Sequence, residues 1–369
     1  MRTVYLHIGM PKTATTALQT FLPLNQKLLN RHGFVYPDMP FHFEGVGIRR
    51  NGHFLTFWTR RKDHPEWKKG FSVVEKAFKK YDNVILSDEN LWSRQRLQKF
   101  WGRVKRKFRR MDVQIKVIVY LRRQDEQVES HWNQKVKSFK VHIDTPFDEY
   151  MNSGGYDYMP FDYDASLDRI ADRIGKENLI VRVFERQQFE GGTIFSDFLD
   201  AIGLSFTDEY QLPEYTSNVR LPDNAVEIKR WVNPLFLNDD VFDFYSESIS
   251  ETFGMASQKE RPRPRTSMFS PQERAAFMER YKEGNAYVAR EYLGRADGVL
   301  FRDDPDALPQ WHYDDNDMLE DAVRILGGAD TYIFEKQEEL FHRIKRLNET
   351  LPFALYNKLS GQKASKEES

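Results

Sequence analysis

"TVYLHIGMPKTATTALQTFLPLNQKLLN" occupies residues 3–30. The first six residues are apolar or β-forming, Gly-Met-Pro breaks the run, and from Thr15 the apolar residues recur at helical spacing. A strand, a tight turn and a helix fit this pattern. The turn carries Lys12 and three hydroxyl side chains, Thr13, Thr15 and Thr16. Backbone N–H groups at a helix N-terminus point outward unpaired, and the helix dipole adds partial positive charge, so an anion docks there naturally. Lys12 adds a mobile charge, and Thr15 and Thr16 bring hydroxyl donors. The plainer alternative is an ordinary helix cap with a surface lysine. The phosphate loop for nucleoside triphosphates is written G-x-x-x-x-G-K-[ST]. Here Pro11, not glycine, precedes Lys12, and the hydroxyl cluster follows the lysine. A triphosphate therefore fits badly, and a different phosphate ligand is expected.

Three further runs resemble the first: "NVILSDE" (83–89), "IKVIVYL" (115–121) and "NLIVRVF" (178–184). Each has the length and Val/Ile content of a buried parallel strand. Helical patterns at 15–31, 94–110, 124–138 and 192–202 follow the four runs in turn. Strand–helix alternation predicts an α/β fold, a parallel sheet with helices on both faces. Ligands in such sheets sit at the carboxyl ends of the strands. Three of the four runs end in polar groups, "GMPKT", "SDEN" and "RRQDE", which can converge on one crevice.

Residues 34–69 lack a clear period and are rich in His, Phe and Trp, which marks an irregular insertion. Beyond residue 241 the character changes. "KERPRPRTS" (259–267) reads as an exposed loop, and helical patterns at 271–293 and 330–349 give a mainly helical C-terminal region. The expected organisation is a core over 1–240 with the insertion at 34–69, a helical extension over 241–358, and a disordered tail over 359–369. The segment 94–110, "RQRLQKFWGRVKRKFRR", has nine basic and no acidic residues, with Leu97, Trp101, Val104 and Phe108 at helical spacing. It reads first as an amphipathic helix with a solvated outer face. Its sharper reading is a surface for an anionic partner such as an acidic glycan. The acidic stretch 303–317, "DDPDALPQWHYDDND", argues against nucleic acid.

The chain has 369 residues, a formal net charge of −1 and no cysteine. Its length suits one large α/β domain with additions, or two domains. Disulfides, thiolate chemistry and cysteine-ligated metals are excluded. No apolar stretch approaches the roughly 20 residues of a membrane helix. The first strand begins almost at Met1, leaving no room for a signal peptide. A cytoplasmic protein without an integral membrane segment is expected.

A second anion site lies after the third run, in "VYLRRQDEQVES" (119–130). Arg122 leaves the strand and offers a planar fork suited to phosphate, and Ser130 follows eight residues later in the next helix. The structural alternative for Arg122 is an ion pair with Asp125 or Glu126. Two separated anion sites suggest a ligand with phosphates at two places.

"HIGMPKTATTALQ" (7–19) and "VIVYLRRQDEQVES" (117–130) resemble the two nucleotide-binding motifs of sulfotransferases that use 3′-phosphoadenosine 5′-phosphosulfate (PAPS). "NLIVRVFERQQFEGGTIFSDFLDAIGL" and "TSNVRLPDNAVEIKRWVN" look like later parts of bacterial and carbohydrate-type members, so the resemblance covers roughly residues 1–235. It implies a P-loop-like sheet. It also implies that Lys12, Thr13, Ala14, Thr15 and Thr16 serve the 5′-phosphosulfate, while Arg122 and Ser130 serve the 3′-phosphate. PAPS is then the co-substrate, with no metal, and the acceptor is a carbohydrate or another hydroxyl- or amine-bearing molecule. Two departures stand out. Ala14 replaces the family's glycine, and the Arg-Lys-Gly run of the cytosolic members is not found.

The implied reaction moves a sulfuryl group to the acceptor, with Lys12 meeting charge on the oxygen between sulfur and the 5′-phosphate. A base must accept the acceptor's proton. His53, in "RRNGHFLTF", and Glu89, in "ILSDENLW", are the candidates, with His42, His64 and Glu44 of the same insertion in reserve. The plainer alternatives are a satisfied loop histidine for His53, and a helix-capping carboxylate or an ion pair with Arg94 for Glu89. Two other functions compete. A P-loop nucleotide kinase or NTPase would need Asp88 as its Mg²⁺-binding acid. A non-catalytic binder of acidic glycans would use the basic helix.

Overall fold

The structure is a computed structural model that describes residues 1–40, 49–59, 65–96, 98–138, 143–213, 221–235, 249, 252–253, 265–304, 308–325 and 327. His42, Glu44, His64, the expected helix at 330–349 and the tail from 359 lie outside the described residues. The chain divides into two compact units. One comprises Met1–Trp132, Thr145–Thr216 and Arg265–Trp311, and the other Asn133–Asp144, Ser217–Pro264 and His312–Ser369.

The first unit is built on a parallel five-stranded sheet. Its strands are β1 (Thr3–His7), β2 (Phe34–Val35), β3 (Asn83–Ser87), β4 (Gln114–Leu121) and β5 (Leu179–Val183), in the spatial order β2-β3-β1-β4-β5. All pairings are parallel, and β1 is central: His7 lies opposite Ser87 of β3 and Ile118 of β4. The four apolar runs are thus four of the strands, and the two-residue β2 is an added edge.

Helices cover both faces. On one, α1 (Thr15–Leu24), α2 (Gln26–Arg31) and α8 (Ile194–Ala201) pack Leu18, Phe21, Leu29, Phe195 and Phe198 against Ile85, Ile118 and Tyr120. The opposite side chains, Val4, Leu6, Val84, Leu86, Val117 and Val119, are fully buried. On that side α4 (Gln98–Arg110), α7 (Tyr163–Ile174) and α11 (Lys282–Leu293) pack on β4 and β5. In α4, Trp101, Val104 and Phe108 are buried as the amphipathic pattern predicts, while Lys99, Arg106, Arg109 and Arg110 are exposed. Lys107 pairs with Glu75 at 3.0 Å.

Several expected helices are divided or displaced. The expected helix over 15–31 breaks at Asn25, two residues after Pro23. The Asn25 amide donates to Phe21 O at 2.9 Å and Gln211 O at 2.8 Å, so it ends α1 and fastens a distant loop. The insertion at 34–69 is not irregular throughout: it holds β2, a 3₁₀ helix over His53–Thr59 and the start of α3 (Pro65–Ala77). The pattern at 271–293 is two helices, α10 (Pro271–Glu279) and α11, the first opened by a Ser270/Glu273 capping box. Three further helices are α5 (Gln124–Lys137), α6 (Phe147–Asn152) and α9 (Asp223–Val232). Only α5 of these was anticipated. The second unit contains α9, where the Asn233 amide donates to Val136 O at 3.1 Å and Ile143 O at 2.6 Å.

His7 stands fully buried in the sheet, with Nδ1 2.9 Å from Ser87 Oγ and its ring edge-on to Tyr120 and Phe198. Burial drives its imidazole from 6.5 down to about 3, against the opposing pull of Asp88. The unfolded chain therefore binds a proton that the folded chain refuses, and stability present above pH 6.5 is lost as pH falls below it. Between pH 6.5 and 5 the wild type is expected to lose about 2 kcal/mol more than His7→Asn. Urea unfolding at the two pH values measures this, and equal losses would place the titrating group elsewhere.

Candidate functional site

The site forms where β3, β1 and β4 end together. Past His7 the chain stays tied to β4: Ile8 N donates to Ile118 O at 3.0 Å, Tyr120 N to Gly9 O at 2.8 Å, and Met10 N to Tyr120 O at 3.1 Å. Gly9 has φ +97°, and a Cβ there would lie 2.9 Å from Glu89 Cβ. Only glycine lets the end of β3 come this close at that φ. The turn then passes through two more left-handed residues, Lys12 (φ 68°) and Ala14 (φ 57°), and Ala14 is the N-cap of α1. An alanine thus adopts the left-handed conformation that glycine adopts without cost. Thr13 is buried and its hydroxyl donates to Met10 O at 2.6 Å, so that proton braces the turn. Among the described residues the Thr15 and Thr16 hydroxyls have no side-chain or backbone partner, and α1 has no acidic residue in its first turn.

The second expected anion group meets the first directly. Arg122 Nη1 donates to Lys12 O at 3.2 Å, and Arg122 Nε donates to Glu126 at 3.1 Å. The ion-pair alternative for Arg122 is thus observed, with Glu126 as the partner, and the same side chain reaches the lysine turn. Its own carbonyl accepts from Tyr163 OH at 2.6 Å. Gln127 Nε2 donates to Pro11 O at 2.9 Å, while its buried Oε1 has no partner among the described residues. Sequence reasoning missed Gln127, although it lies between Arg122 and Ser130. Ser130 is 8 % exposed, and its hydroxyl has no partner among the described residues.

A third group collects at the end of β3. Asn51 bridges two backbone groups of β3, accepting from Ser87 N at 2.8 Å and donating to Ile85 O at 3.0 Å. Gly52 N donates to Ser87 O at 3.1 Å, with a close approach a Cβ would obstruct. These contacts carry Arg50 and His53 into the site. Arg50 bonds Asp88 at 2.6 Å and Glu89 at 3.1 Å. His53 Nδ1 lies 2.5 Å from the other Asp88 oxygen. Asp88 also accepts from Asn90 N at 2.7 Å, so both its oxygens take protein donors, which weakens its reading as a Mg²⁺ ligand. Glu89 accepts from Gln19 Nε2 at 3.2 Å, and Gln19 donates to Ser87 Oγ at 3.1 Å. The two base candidates thus stand in one cluster, and Glu89, whose ion pair is with Arg50, abuts the lysine turn. Among the described residues no group of three His, Asp or Glu is arranged to hold a metal ion. None of the described helices is long and apolar enough to cross a membrane.

No family model matches the sequence. An uncharacterized protein of Archaeoglobus fulgidus is 29% identical over 202 residues, 51% of this chain and 49% of that one. The chain therefore spans about half the length of the curated relative it matches. Among solved structures, a sulfotransferase from Alicyclobacillus acidocaldarius aligns over 66% of this chain and 96% of that chain, with TM-score 0.39 and 16% identity.

Left-handed backbone costs a residue with a Cβ about 1–2 kcal/mol. Glycine at position 14 should recover that cost and offset its own entropy and the lost methyl contact. Ala14→Gly is expected to change stability by less than about 0.5 kcal/mol, whereas Ala17→Gly, inside α1, should cost about 1 kcal/mol. Urea midpoints of the two variants check this, and an equal loss at both positions would show that Ala14 carries no such cost.

Proposed function

We propose that the protein is a PAPS-dependent sulfotransferase acting on a hydroxyl or amine, with a carbohydrate as the favoured acceptor class. One observation carries the reading. Two anion-binding motifs 110 residues apart are joined by the bond from Arg122 Nη1 to Lys12 O, at the carboxyl ends of adjacent strands. A nucleotide with phosphate groups at two positions matches that pair. The N-terminus of α1, with Thr15 and Thr16, holds the 5′ end, and Arg122 with Ser130 holds the 3′-phosphate. The turn's backbone and Thr13 shape the first of these sites.

In this reading the acceptor oxygen or nitrogen forms a bond to sulfur as the bond from sulfur to the 5′-phosphate oxygen breaks. Adenosine 3′,5′-bisphosphate leaves, and Lys12 meets the charge growing on the departing oxygen. The acceptor's proton passes to a base. Glu89 is the better-placed candidate: it lies against Gly9 at the turn, whereas His53 is buried and its Nδ1 is engaged with Asp88. Arg50 and Gln19 then hold the Glu89 carboxylate in place.

Calorimetry tests the nucleotide site. Adenosine 3′,5′-bisphosphate should bind roughly ten- to a hundred-fold more tightly than AMP, the worth of a charge-assisted phosphate contact. Equal affinities would remove the 3′-phosphate site. Mass spectrometry of products from an acceptor panel with PAPS tests the reaction itself.

Base assignment needs variants. Glu89→Gln keeps shape but loses basicity, and should lower kcat by about 10²- to 10⁴-fold with bisphosphate affinity intact. His53→Asn should have the smaller effect. The reverse order of losses would make His53 the base.

A further inference from the structure

The start of α5 gathers more charge than the two motifs account for. Glu126 takes Arg122 Nε at 3.1 Å, Arg265 Nη2 at 3.1 Å and Arg123 Nη2 at 3.9 Å. Asp125 is bonded by Arg123 at 2.8 and 3.0 Å and faces Arg274 at 3.5 Å. Glu129 accepts from the Ser267 hydroxyl, Met268 N at 2.9 Å and Phe269 N at 3.4 Å. Four guanidinium groups thus gather around Asp125 and Glu126 at the start of α5. Burial alone would raise the Glu126 carboxyl, but Arg122, Arg265 and Arg123 together hold it down at about 2.

Two features point the Arg122–Glu126–Arg265 group toward an anion. Glu126 and Ser130 are four residues apart on α5, so they lie on one side of the helix. Ser130 is more than nine-tenths buried, and its hydroxyl has no partner among the described residues. Arg265 keeps 45 % of its side chain exposed while its Nη2 is held at Glu126, so it retains donors for a ligand. The segment that follows it is held by Glu129, which accepts from the Ser267 hydroxyl, Met268 N and Phe269 N.

We propose that Arg265, which lies outside both sequence motifs, is a second phosphate-binding arginine that acts with Arg122 and Ser130 on a phosphomonoester, and that Glu126 positions the two arginines. Two guanidinium groups brought together repel, and a carboxylate between them offsets the repulsion and fixes their forks. On the PAPS reading, on which this inference rests, the phosphomonoester is the 3′-phosphate. Arg265 is then a residue that distinguishes a 3′-phosphorylated nucleotide from one with a free 3′-hydroxyl.

The test is calorimetry of the full chain with adenosine 3′,5′-bisphosphate and with AMP, for wild type, Arg265→Gln, Arg265→Lys and Glu126→Gln. Arg265→Gln should weaken bisphosphate binding roughly tenfold or more and leave AMP within about twofold. Arg265→Lys, which keeps charge without the fork, should recover part of the loss. Glu126→Gln should also weaken the bisphosphate selectively, because the arginines are no longer held together. If wild type discriminates between the nucleotides but Arg265→Gln binds the bisphosphate normally, the inference is overturned and the proposed function stands. If wild type does not discriminate, the proposed function fails first. Tighter bisphosphate binding by Glu126→Gln would make Glu126 a competitor of the ligand and overturn its positioning role. Thermal melts confirm folding, and if Glu126→Gln does not fold, the two Arg265 variants decide the matter.

Discussion

Strand β1 is paired on both sides, and the chain must turn out of it between two neighbours whose own chains also end there. That constraint governs the site. On one side the turn is held by backbone bonds from Ile8, Gly9 and Met10 to β4. On the other, Gly9 lets Glu89 come into contact. Space for the reversal comes from three positive-φ residues, Gly9, Lys12 and Ala14, of which only the first is a glycine. The strain at the other two is kept because surrounding bonds over-determine the loop: Thr13 to Met10 O, Gln127 to Pro11 O and Arg122 to Lys12 O. The result is a helix N-terminus held open beside a strand-end arginine.

The polar groups under the turn form one connected chain. His7 bonds Ser87, Ser87 accepts from Gln19, Gln19 donates to Glu89, Glu89 pairs with Arg50, Arg50 with Asp88, and Asp88 with His53. Most of these side chains are buried, where each bond restricts orientation, and of their buried polar atoms only His7 Nε2 and Arg50 Nε lack a partner among the described residues. A carboxylate kept in such a chain, as Glu89 is, has few orientations open to it. His7 pays into this rigidity by staying neutral, since its site refuses the imidazolium.

The residues after 264 enter this picture through charge. Arg265, Ser267 and Arg274 all meet acidic residues of α5's first two turns, so a part of the chain read as a separate extension is fastened to the helix that follows β4. The exposed loop expected at 259–267 therefore has an anchored end.

Much of the fold was legible in the sequence because its signals are local. Four apolar runs of about seven residues, each followed by a helical period, require a parallel sheet wrapped by helices, and "GMPKTATT" announced the turn between β1 and α1. The apolar face of α4 could likewise be counted from Trp101, Val104 and Phe108, all of which are buried. Partnerships were not legible, because they join residues far apart in the chain. Nothing near position 89 marks Arg50 as its counter-ion, and nothing in "RPRPRTS" assigns Arg265 to Glu126. Strand order placed β1 between β3 and β4, and that placement alone brought Lys12, Arg122 and Glu89 to one edge. The sequence by itself determined which residues could bind an anion or take a proton; the tertiary structure decided which of them meet, since hydrogen bonds and ion pairs depend on distances in space that residue spacing does not encode.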